Sequence, residues 1–176
     1  MFIAVKELEQ HKLTISQRFA PGTIDFHTRE FRQRGPLAAD AVAELEGREI
    51  HLAGHLETDV ELSCARCLES VTRTIASDFD LRYRPISTMA RDEEIGVSEE
   101  DTDIGFYHGE GLFLADVLAE QVNLAIPIKS LCREECRGLC PECGANLNLG
   151  PCSCRRSGVD PRLAPLARWK LGRKES

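Results

Sequence analysis

No stretch of roughly 18 consecutive apolar residues occurs in this chain of 176 residues, so a membrane-spanning helix is not expected. A secretory leader is not expected either: the opening MFIAVKELEQ carries Lys6, Glu7 and Glu9 where an uninterrupted apolar segment would be needed. The expectation is a protein of a reducing compartment, the cytoplasm. Nucleotide and hydrolase signatures are absent too, with no G-x-x-x-x-G-K-[ST], no G-x-G-x-x-G after a strand and no G-x-S-x-G. Nothing supplies a recognisable catalytic constellation, and the chain is not expected to be an enzyme.

What is present is the composition of an ordinary globular protein, 42% hydrophobic and 29% charged. The length suits one core with a small appendage. Charge is unevenly spread: residues 1–128 hold 12 basic and 24 acidic side chains, residues 129–176 hold 10 and 5. A basic tail therefore follows an acidic body. Four thiolates around one zinc ion would lower the tail's effective charge to about +3, so its attraction to nucleic acid is modest.

From residue 2 to residue 86 two-residue alternation dominates, which reads as antiparallel sheet. It is clearest at Ile50, Leu52, Leu56, Thr58, Val60 and Leu62, and again at Phe79, Leu81 and Tyr83. Pro21-Gly22 divides a first expected hairpin, LTISQRFAPGTIDF, and Glu46-Gly47-Arg48 a second. Seven acidic residues between Arg91 and Asp103 predict a solvated loop. Over about 112–125, Leu114, Val117, Leu118, Gln121, Val122 and Ala125 recur at helical spacing, and Pro127 limits the helix. The fold class expected is α+β: an antiparallel sheet or partial barrel with one packed helix (1–128), followed by a cysteine-rich, zinc-binding basic tail (129–176).

The eight cysteines point to metal, because disulfides are rarely kept in a reducing compartment. Six fall between Cys132 and Cys154, and Cys140-Pro-Glu-Cys143-Gly is a zinc-knuckle pattern in which two intervening residues let both sulfurs face one ion. The simplest first set is Cys140, Cys143, Cys152 and Cys154, although the loop GANLNLGP is short and Cys-x-Cys is less common than Cys-x-x-Cys. Cys64 and Cys67 could join Cys132 and Cys136 in a second set. Alternatively Cys132 and Cys136 serve the tail cluster, even as two ions on six cysteines.

Two enzymatic readings compete with this one. A redox Cys64-Ala-Arg-Cys67 lacks the strand-to-helix context of thioredoxin-like motifs. His55-Leu56-Glu57 fits half of the zinc-deaminase signature, but no Pro-Cys-x-x-Cys completes it.

Cys64-Ala-Arg-Cys67-Leu68-Glu69, Leu124-Ala125-Ile126-Pro127, the run LCREECRGLCPECGANLN and Asp160-Pro161-Arg162 together resemble the YceD family. That resemblance implies a role in making or preserving large-subunit ribosomal RNA, and it implies no reaction. The expected partner is that RNA or a pre-ribosomal particle, with phosphate contacts from Arg155, Arg156, Arg162, Arg168, Lys170, Arg173 and Lys174, joined by Arg133 and Arg137, and with Trp169 available to stack on a base. The competing class is an adaptor whose acidic body docks a basic ribosomal or RNA-processing protein without touching RNA.

Overall fold

The computed structural model describes residues 1–87, 104–154 and 161–163. It divides into two compact units, Met1–Cys132 and a second from Arg133 onward.

In the first unit the elements run β1 (Phe2–Ala4), α1 (Val5–Leu8), β2 (Leu13–Phe19), β3 (Phe31–Gln33), β4 (Leu37–Glu46), β5 (Glu49–Ser63), β6 (Ser70–Pro85), β7 (Ile104–Tyr107), β8 (Gly111–Phe113) and α2 (Leu114–Ala125). The main sheet has the order β2-β4-β5-β6-β7, with β3 also on β5, while β1 and β8 form a separate antiparallel pair. All pairings in the main sheet are antiparallel except β6 with β7. This is the α+β arrangement expected, and the path of described strands stays open, with β2 and β7 at its ends.

Alternation decides which face is buried. Ile50, Leu52, Leu56, Thr58, Val60 and Leu62 of β5 point inward, with Ile75, Phe79 and Tyr83 of β6 and Ala39, Ala41 and Ala43 of β4. Against them α2 sets Leu114, Val117, Leu118 and Val122, the stripe its spacing predicts. At Gly54 a side chain is excluded, since a Cβ there would lie 2.6 Å from Ala41 Cβ on the neighbouring strand. Gly54→Ala is therefore expected to cost about 1–3 kcal/mol of unfolding free energy through overpacking. Denaturant titration would show it as a lowered midpoint, and an unchanged midpoint would mean that the two strands can part freely.

The outer face of the sheet is polar. His51 Nε2 lies 2.6 Å from Asp80 Oδ1, and its other ring nitrogen is 3.5 Å from Glu44 Oε1. Hydrogen bonding to Asp80 raises the imidazole above its ordinary 6.5. Its stabilising contribution is then full below the unfolded value and fades as pH rises through the higher folded value. In an NMR titration His51 should titrate above 6.5, and Asp80→Asn should bring the midpoint down; no movement on that substitution would remove the carboxylate as the cause.

Two local expectations change. Pro21-Gly22 makes no hairpin: β2 pairs with β4, and the TIDF segment forms a loop that buries Ile24 and packs Phe26 in a tilted contact against Phe31, at 5.1 Å between centroids. The edge of β2 was taken by a longer, better matched strand, so the nearer segment folded over the core instead. Residues 5–8, read as strand, form the short helix α1. The acidic run 91–103 lies outside the described residues.

Candidate metal centre

The tip of the longest hairpin is built from cysteines. Ser63 of β5 pairs with Ser70 of β6, leaving Cys64–Glu69 as the connection. Within it Cys64 N–H donates to Glu69 O at 2.8 Å and Leu68 N–H to Cys64 O at 3.0 Å. Leu68 takes φ +62, a left-handed conformation that costs a leucine energy. Arg66 N–H approaches Cys64 Sγ at 3.5 Å. Cys64 and Cys67 are buried.

A neighbouring strap brings in the third sulfur. Ala65 N–H donates to Ser130 O at 2.8 Å and Arg73 Nη2 to Leu131 O at 2.7 Å, which holds the residues just before Cys132 against the hairpin tip. Cys67 Sγ and Cys132 Sγ are 3.6 Å apart. N–H donation from Cys132 first, and from Cys67, lowers the Cys64 thiol to about 6. The Ser130 hydroxyl is buried with no hydrogen-bond partner among the described residues. Cys136, four residues past Cys132, belongs to the second unit, where its sulfur receives Asn148 Nδ2 at 3.3 Å.

In the second unit Cys140, Cys143, Cys152 and Cys154 converge, one sulfur from each lying within 4.8 Å of the others. Cys140 N–H donates to Ala145 O at 2.8 Å, Gly144 N–H donates to Cys140 O at 2.9 Å, and Gly144 has φ +71. The Leu139–Asn146 bridge closes the loop. Asn148 Oδ1 receives Arg137 N–H at 2.8 Å, and Asn146 Oδ1 receives Asn148 N–H at 2.9 Å. These two asparagines were not singled out from the sequence, because neither is a usual metal ligand; their N–H···S and backbone bonds are the outer support such sites use.

Protonation at this group follows from crowding. N–H groups of Cys143 and Glu142 lower Cys140 to about 7. At Cys152 the Cys154 N–H is the largest single influence and lowers the thiol, but hydrogen bonding with Cys140, burial and the neighbouring sulfurs together outweigh it, and the thiol is raised. Hydrogen bonding with Cys143 pushes Cys154 up to about 12. Four such sulfurs cannot all ionise without a cation among them. The donor set fits zinc: a tetrahedron with Zn–S of about 2.3 Å has sulfur–sulfur edges of about 3.8 Å, within the spacing seen. No disulfide joins any of the eight cysteines.

Other site residues fall as follows. His55 lies on the outer face, with Nδ1 2.7 Å from Asp78 Oδ1, and belongs to no thiol group. Arg162 is exposed in a short 3-10 turn, Pro161–Leu163. Arg155, Arg156, Arg168, Trp169, Lys170, Arg173 and Lys174 lie outside the described residues. Glu44, Glu46 and His51 form a third close group, tied up by the ion pairs of the sheet face.

The sequence model of the family described as "Large ribosomal RNA subunit accumulation protein YceD" matches residues 52–170, a span that holds the hairpin tip and every cysteine. The chain belongs to the YceD family. It is 31% identical over 148 residues to an uncharacterized protein of Mycobacterium tuberculosis, covering 84% of this chain and 68% of that one. It is 29% identical over 151 residues to the large ribosomal RNA subunit accumulation protein YCED homolog 1, chloroplastic, of Arabidopsis thaliana, covering 73% of this chain and 47% of the relative. The corresponding Zea mays protein is 28% identical over 174 residues, covering 84% and 57%. This chain thus spans about half the length of the plant relatives. No solved structure matches it.

Proposed function

We propose that this YceD-family protein is a non-enzymatic ribosome-biogenesis factor of the cytoplasm that supports synthesis, processing or accumulation of large-subunit ribosomal RNA by binding RNA or pre-ribosomal particles. The observation that carries the reading is the family match across residues 52–170, under a description that names large-subunit ribosomal RNA accumulation. Zinc at Cys140, Cys143, Cys152 and Cys154 would supply folding free energy that a short segment with little apolar area lacks. Its bound form would hold the backbone just ahead of Arg155 and Arg156 in a defined conformation. Those arginines and the basic residues after them would take the phosphate contacts.

Depleting the protein is expected to lower large-subunit ribosomal RNA relative to small-subunit RNA, and a parent-like ratio would contradict the reading. Replacing Arg155 and Arg156 by alanine should weaken association with large-subunit precursors and reduce the salt slope of binding by about 0.7–0.9 per lost contact. Unchanged binding at every salt concentration would show both to be solvated surface.

One observation favours a second reading, in which a basic ribosomal or RNA-processing protein is the direct partner. The outer sheet face presents Asp40, Glu44, Glu46, Glu57, Asp59, Glu61, Asp78 and Asp80, only part of whose charge is matched by Arg34, Arg82, His51 and His55. Such a face attracts a cationic protein and repels RNA.

A further inference from the structure

The two Cys-x-x-Cys loops of this chain are the same structure. In each, the first cysteine's N–H bonds to the carbonyl five residues on, at 2.8 Å in both Cys64→Glu69 and Cys140→Ala145. In each, the residue after the second cysteine donates back to the first cysteine's carbonyl, at 3.0 Å from Leu68 and 2.9 Å from Gly144. That residue is left-handed in both, φ +62 and +71. At Gly144 the conformation carries no penalty; at Leu68 it does, and the side chain that incurs it is 67% exposed. Burial of Leu68 therefore cannot be what holds the backbone there. The turn instead keeps the geometry that aims two sulfurs at one point.

We infer that the β5–β6 hairpin tip is a second zinc site, distinct from the Cys140 knuckle, in which Cys64, Cys67 and Cys132 are ligands and Leu68 holds the left-handed position that sets the angle between the first two. The third sulfur is already at the spacing of a tetrahedral edge, 3.6 Å between Cys67 and Cys132. It is brought there by the Ala65–Ser130 and Arg73–Leu131 bonds, neither of which involves a cysteine side chain. A disulfide between Cys67 and Cys132 is the competing use of the same pair, but it requires the sulfurs at about 2.05 Å.

The inference stands apart from the ribosomal reading and is tested on the purified full chain by metal analysis and cobalt(II) substitution. Two zinc ions per chain are expected, falling to one in Cys67→Ser and in Cys132→Ser, while Cys143→Ser also leaves one. The cobalt spectrum of Cys143→Ser should keep the intense thiolate bands of a tetrahedral site. Two graded variants guard against simple misfolding. Leu68→Gly should retain both ions and bind the hairpin-tip ion more tightly in chelator competition. Leu68→Val, β-branched at a left-handed position, should bind it about tenfold more weakly, with far-ultraviolet circular dichroism unchanged. One zinc per chain, unaffected by Cys67→Ser or Cys132→Ser, would overturn the proposal. So would a Cys67–Cys132 disulfide in metal-free protein prepared without reductant, or identical affinity in the glycine and valine variants.

Discussion

Cys140→Ser is expected to abolish binding of the zinc ion proposed for the second unit and to cost the chain the ordered structure of residues 133–154 with it. Among the described residues that unit has no helix longer than the Pro161–Leu163 turn and no strand beyond the Leu139–Asn146 bridge. Its buried side chains include Cys136 and Cys140 themselves. A segment so poor in apolar burial would draw its stability from the proposed zinc ion, and apparent zinc-binding free energies in small thiolate sites are about 10–16 kcal/mol at neutral pH. Replacing one of four ligands should forfeit enough of that to unfold the segment. Amide hydrogen exchange would show protection lost at Gly144, Leu147 and Leu149, whose N–H groups close the loop around the thiols. Acidification should act in the same direction: the zinc-bound state holds fewer protons on its sulfurs than the free state, so the ion is released as pH falls. Full protection in metal-free protein at neutral pH would show that the loop holds itself without a cation.

In the first unit the largest expected loss follows Leu118→Ala. Leu118 is fully buried where α2 covers the sheet, and deletion of its three outer carbons leaves a cavity that helix and sheet, each fixed by its own hydrogen bonds, close only in part. The cost should be about 2–5 kcal/mol, seen as a lower denaturant midpoint with the slope retained. Leu124, one and a half turns further on, is 72% exposed, and its replacement by alanine should change stability by no more than about 0.5 kcal/mol. Equal effects at the two leucines would mean that α2 does not pack by the face described.

Both leucines lie on one amphipathic pattern, and that pattern was legible in the sequence because a helix with one buried side must repeat it. The same holds for β5 and β6, whose inward residues alternate over 15 and 16 positions. Legibility ended where pairing was decided far along the chain. β7 lies parallel to β6, and β8 closes on β1 across more than a hundred residues; four- and three-residue strands carry too few side chains to announce a period. The four residues of α1 are likewise too few for a helical repeat. Among the thiols, local spacing identified each Cys-x-x-Cys pair, because two intervening residues bring the sulfurs together within one turn. That Cys132 joins Cys67 was one of the groupings the cysteine pattern left open, and the choice depended on Ser130 and Leu131 offering backbone carbonyls to the hairpin, which leaves no mark in residue type. Asn146 and Asn148 were passed over for the same reason: they act by supporting the loop that carries the ligands.

Direct contact between this chain and large-subunit RNA is the central proposal, and a salt titration of binding between the zinc-loaded full-length protein and large-subunit precursor RNA tests it most directly. The acidic first 128 residues oppose the encounter and the basic tail favours it, so binding should be present at low salt and weaken linearly in log–log form as salt rises. A slope of several units, reduced in the Arg155/Arg156 double alanine variant, is the result predicted. No binding at the lowest salt concentration, by protein that holds its zinc and its fold, would contradict direct RNA contact and leave the acidic sheet face as the surface through which the protein works.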